Sequence, residues 1–120
     1  MSVFFLSSEG EDAWNPSSDV AEVFLAQADT VARLLKIESG LGPIRGDEVI
    51  IDGSRFAAFG AAFARRMLQS ADDSAMHKLL GGCFAIILGL HAVLEMPLPS
   101  GEQRFDGYAS EGQRLVWRPK

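Results

Sequence analysis

The stretch "SAMHKLLGGCFAIILGLHAVLEM", residues 74–96, limits what this chain can fold into more than any other. From Leu79 to Leu94 its only ionisable side chains are Cys83 and His91. Asp72, Asp73 and Ser74 can cap its start and Pro97 ends it, so the pattern predicts one long helix, the third of the chain. A helix that is apolar all round must be a core helix, an oligomer interface or a membrane span. Leu79 to Met96 would reach roughly 27 Å at about 1.5 Å per residue, the minimum for crossing a bilayer. The glycines and His91 within it argue against that and favour burial in protein. Gly82, Ala85, Gly89 and Ala92 recur at three, four and three, which predicts a groove of small residues on one face where another helix can nestle.

Two further helices are expected. "DAWNPSSDVAEVF", residues 12–24, supplies Asn15 as an N-cap and Pro16 as a first helical residue, with Ser17, Ser18 and Asp19 as alternative caps and Asp19 with Glu22 as a capping box. Val20, Val23, Phe24, Val31, Leu34 and Leu35 then recur at helical spacing, with Glu22, Asp29, Arg33 and Lys36 left for solvent. Gly40 offers a stop, and the helix is placed at about residues 16–38. After the glycine-rich "LGPIRGDEVIIDGS", which is a long connection or holds a small strand at Val49 to Ile51, Asp52 or Ser54 caps the second helix. Its Phe56, Phe59, Phe63 and Met67 fall three and four apart among alanines, a pattern suited to close packing.

The ends of the chain read as strands. Val3 to Leu6 is aromatic and branched, and "SEGED" turns it back through Ala13 and Trp14. "QRLVWRP", residues 113–119, is a second candidate, and its basic residues suit a place beside the acidic N-terminal region. The expected fold is therefore an α-dominated α+β domain spanning residues 1–120, with a three-helix core and short terminal strands or a hairpin.

The charge pattern narrows function. The net charge is −5, and the first 32 residues carry six acids, Glu9, Glu11, Asp12, Asp19, Glu22 and Asp29, with no base. Such a surface disfavours nucleic acid, whose phosphates need clustered Lys and Arg, and suits a basic protein partner. One cysteine cannot form an internal disulfide, and the Met-Ser opening lacks the features of a secretion signal, so a reduced, cytoplasmic protein is expected. Helix three has too little polar surface for a monomer, which predicts a homodimer.

The residues hold no strong catalytic, metal or cofactor motif. His91 and Glu95 are four apart and could pair on one helix face, the minimum of a general-base site or of a pocket between helices, although no nucleophile accompanies them. His77 lies too far along the helix to share a metal with His91. Cys83 sits mid-helix among Phe84, Ile86 and Ile87, where a small buried hydrophobe is expected rather than a reactive thiol. Asp47-Glu48 and Asp72-Asp73 lack ligand spacing, and "GLGPIRG" lacks the ending and frame of a phosphate loop. Trp14 and Trp117 are expected to form a terminal cluster over the helices, the other use of Trp14 being an interaction hot spot.

The aromatic opening, "WNPSS", "GLGP" and "DEVIIDGSRFAAF" together resemble small uncharacterised bacterial proteins of actinobacterial type, across the first half of the chain. That resemblance implies no known activity. Three functions fit the residues. One is an interaction protein, such as an immunity-type inhibitor, that meets a basic partner through Glu9, Glu11, Asp12, Trp14, Glu22 and Asp29. Another is a small-molecule-binding or enzymatic subunit using His91 and Glu95, and a third is a structural homodimer.

Overall fold

A computed structural model describes residues 1–97 and 103–116. The chain is α+β and α-dominated. Strands β1 (Phe4–Ser7) and β2 (Asp12–Trp14) precede helix α1 (Ser18–Leu35), strand β3 (Glu48–Ile51), and helices α2 (Gly53–Leu68) and α3 (Ala75–Val93). A single 3-10 turn, Gln103–Phe105, leads into α4 (Asp106–Leu115). The sheet has the order β2-β1-β3. β1 pairs antiparallel with β2, with Phe5 opposite Trp14, and parallel with β3, with Phe5 opposite Val49. A parallel neighbour requires a crossover, and α1 supplies it. Phe5, Trp14 and Phe24 of α1 form an aromatic triangle with centroids 5.2–5.9 Å apart, which fixes α1 on the sheet.

Helix α1 begins later and ends earlier than its sequence pattern indicates. Ser17 is the N-cap, its hydroxyl accepting from the Val20 amide at 3.3 Å, and Asn15 is exposed outside the helix. The choice among adjacent capping residues is made by tertiary pairing: Ser17 bridges Ser2, and the Ser18 amide donates to the Met1 carbonyl at 3.0 Å. The helix stops at Lys36, which adopts φ 57°, and not at Gly40. Gly40 has another task. At φ 79° its α-carbon lies against the Phe56 amide at the start of α2, where a side chain would overlap that backbone.

The stripe facing inward is also different. Ala21, Phe24, Ala28, Val31 and Ala32 are buried, whereas Val20, Val23 and Leu34 are 45%, 60% and 55% exposed. Alanines let the helix approach α2 and α3 closely, and the branched residues are left outside. In α2 the expected Phe56, Phe59, Phe63 and Met67 are all fully buried beneath an Asp52 cap. Ser74 caps α3.

The C-terminal strand expected at 113–119 is not formed by its described residues. Gln113, Arg114 and Leu115 close α4, and Trp117 to Lys120 lie outside the described residues. The core thus contains a fourth helix. α4 makes the most extensive helix–helix contact, against the α3 face carrying Gly81, Ala85 and Gly89. Of the predicted small-residue groove, Ala85 and Gly89 receive α4, while Gly82 is exposed with open space above it. α4 therefore covers much of the surface on which the expected self-association rested. β2 meets the end of α4: the Trp14 indole N–H donates to the Leu115 carbonyl at 3.1 Å.

Arg104 fastens the approach to α4. Its guanidinium donates to the carbonyls of Leu68 (3.3 Å) and Ser70 (2.8 Å) at the end of α2, and to Asp72 Oδ1 at 2.8 Å. These are carbonyls a helix end leaves without partners. Arg104 also holds the Asp72 carboxyl below the usual carboxylate value. Beneath it, His77 Nε2 lies 2.8 Å from the Met67 carbonyl and so carries the proton there. In the neutral ring Nδ1 then accepts from the Tyr108 hydroxyl at 3.0 Å.

Candidate functional site

Glu9, Glu11 and Asp12 stand on an ordered turn and are exposed. The Ser7 hydroxyl accepts from the amides of Glu9 (3.3 Å) and Glu11 (3.1 Å), and Gly10 takes φ 85°. This Ser-centred turn satisfies its own backbone, so the carboxylates are left to solvent. Asp19 and Glu22 are exposed on the first turns of α1. Among the described residues none of these five carboxylates is ion-paired. Asp29 differs, lying 3.5 Å from Arg33. Arg114 pairs within its own helix with Glu111 at 2.7 Å, and Arg118 and Lys120 lie outside the described residues.

Trp14 does not share this surface. It is 7% exposed, packed on Phe5 and Phe24, and its N–H is used by Leu115. That is the structural role its position suggested, with Leu115 rather than a strand as its C-terminal neighbour. What sequence reasoning missed is an apolar furrow of about 270 Å³ next to Asp19, lined by Val20, Val23, Phe24 and Gln27 of α1 and Ile86 of α3. Its signal was available: α1 has more large apolar positions than one core-facing stripe requires.

A larger depression of about 640 Å³ lies between the end of α1, the edge of β3 and the start of α2. Its charges largely cancel. Arg55 reaches Glu38 at 3.1 Å and Asp52 at 3.7 Å, and Arg33 faces Asp29. The Ser39 hydroxyl, which lines it, accepts from the Leu41 amide.

His91 and Glu95 are not brought together. His91 is 1% exposed, lies with its ring 4.9 Å from that of Phe56, and donates from Nδ1 to the Pro97 carbonyl at 3.2 Å. Glu95 lies past the end of α3 in a left-handed conformation at φ 57°, exposed. The helix ends at Val93, two residues too soon to set the two on one face. His91 Nε2 finds no partner among the described residues, and burial pushes the ring pKa below 6.5. The neutral ring is therefore the folded form. Stability from this group is fully present above the unfolded value of 6.5 and falls as pH drops toward the depressed folded value. Urea unfolding at pH 7 and pH 5 should show a larger loss for the wild type than for His91→Leu; equal losses would contradict the assignment.

Cys83 is buried, and desolvation pushes its thiol up to about 12. It remains a thiol at neutral pH and cannot act as a thiolate nucleophile. Cys83→Ala should cost about 1–2 kcal/mol in chemical denaturation and leave the surface unchanged. Among the described residues no group of three or more His, Cys, Asp or Glu side chains is placed to hold a metal. α3 is long and apolar enough to cross a membrane, and over half of its apolar window is buried within the fold.

The family model described as "Family of unknown function (DUF6086)" matches residues 1–119. No curated protein and no solved structure matches the chain. A match over nearly the whole length places the chain in DUF6086, a family of unknown function.

Proposed function

We propose that this chain is a small acidic interaction module of the cytoplasm that docks a basic protein partner, in the manner of an immunity-type inhibitor. One observation carries the reading: Glu9, Glu11, Asp12, Asp19 and Glu22 are all exposed, and none is ion-paired among the described residues. Unpaired, one-signed charge on a chain of net charge −5 attracts an oppositely charged surface over distances set by ionic strength. The enzymatic reading through His91 and Glu95 has lost its geometry, since one ring is buried and the carboxylate lies apart from it.

The test is the association rate of the partner against salt. Docking through these acids should slow several-fold between low and physiological ionic strength, where the Debye length is about 8 Å. Glu9→Lys/Glu11→Lys should slow association more than it speeds dissociation. A rate indifferent to both salt and charge reversal would contradict the proposal.

A further inference from the structure

We infer that the furrow between α1 and α3 seats an amphipathic, basic helix of the protein partner, an inference that rests on the acidic docking reading. α1 lines the furrow with Val20, Val23 and Gln27, spaced three and four, and α3 lines it with Ile86; the exposed Leu79 and Gly82, spaced three and four before Ile86, continue the ridge of that face of α3 beyond the furrow. Residues so spaced line one helix face, and a valley between two such ridges is the geometry that accepts a third helix. Phe24 lines the valley and anchors it to the core, being also packed on Phe5 and Trp14.

Among the described residues nothing fills this valley. Val23 is 60% exposed and Leu79 74%, although both belong to helices with well-buried opposite faces. Exposed contiguous apolar groups of this kind mark contact surfaces. At Gly82 nothing lies within 4 Å of where a side chain would begin, so an incoming helix meets no obstruction there.

Charge selects the occupant. Among the described residues the only charged one lining the furrow is Asp19, Glu22 is exposed next to Val23, and neither is ion-paired. A second copy of this chain would bring its own Asp19 and Glu22 beside them, on a molecule that also carries −5. Like charges at a contact oppose it, whereas lysines or arginines flanking an apolar stripe would pair with both acids. Lys78, beside Leu79, is the single Lys or Arg of α3 and does not reverse this balance.

The probe is a 14-residue peptide with leucines on one helical face and lysines elsewhere, titrated into the full chain with methyl groups labelled for NMR. A control peptide has the same composition with its leucines dispersed around the helix. The expected shifts centre on Val20, Val23 and Ile86, with the control at least tenfold weaker. Val20→Ser/Val23→Ser alters only exposed positions and should weaken the patterned peptide tenfold or more. Added salt should weaken it too. Equal binding of both peptides, or full affinity in the serine variant together with salt sensitivity, would overturn the furrow and leave the acidic docking reading standing. Loss in the serine variant with no salt dependence would overturn a basic occupant, and the docking reading with it. Self-association that protects Val23 without peptide would overturn the inference in favour of a second copy.

Discussion

Gly112→Leu should detach α4 from α3 and lower stability by about 3 kcal/mol or more, the upper end of overpacking costs. Gly112 faces Ala85 and Gly89 across the helix crossing. A side chain there would overlap the Ala85 carbonyl oxygen and stand 2.8 Å from the Gly89 amide nitrogen. Both contacts are backbone, so no rotamer change relieves them. Gly89 is blocked reciprocally, its own side-chain position lying 2.7 Å from the Gly112 carbonyl carbon and 2.8 Å from Val116. Gly107, on the same helix, has open space and should tolerate alanine with a gain of several tenths of a kcal/mol. Thermal melts of the two variants should therefore shift in opposite directions, by more than 10 °C downward for Gly112→Leu at roughly 4 °C per kcal/mol. An unchanged midpoint for Gly112→Leu would mean that α4 does not pack there.

Phe84→Ala should cost about 3–5 kcal/mol, a large part of the roughly 5–15 kcal/mol that holds a domain together. Phe84 is fully buried where four elements converge. Its ring centroid lies 5.0 Å from Phe63 of α2, 4.8 Å from Phe105 of the 3-10 turn and 5.5 Å from Tyr108 of α4. Truncation leaves a cavity bounded by rings held on separate elements, which cannot all collapse inward. Equilibrium unfolding in urea should show an early midpoint, and a loss below about 1 kcal/mol would be incompatible with this cluster.

Much of this architecture is written in local spacing. Phe56, Phe59, Phe63 and Met67 repeat at three and four and are all buried, because a helix with one aromatic face has one way to hide it. The burial of α3 was equally legible from its lack of polar residues. α4 was not. "DGYASEGQRL" has two glycines and a scattered apolar pattern, so it reads as a loop, and "RLVW" reads as a strand. Gly112 weakens the helix locally and is required by the tertiary approach to Gly89, a fact no window of sequence contains. The site divides in the same way. Exposure of Glu9, Glu11 and Asp12 follows from the turn chemistry around Gly10, but the furrow depends on alanines taking the core positions of α1 that Val20 and Val23 were expected to fill. The separation of His91 from Glu95 depends on where α3 ends, and helix ends are set by packing as much as by residue type.

The docking claim is tested most directly by affinity capture from the native host at low and high salt, comparing the wild-type chain with Glu9→Lys/Glu11→Lys/Glu22→Lys. All three substitutions are at exposed positions, so the variant should fold, and its circular dichroism and melting curve verify that. A basic protein should be retained by the wild type at low salt, released at high salt and absent from the variant. Retention of the same proteins by both chains, at both salt concentrations, would contradict it.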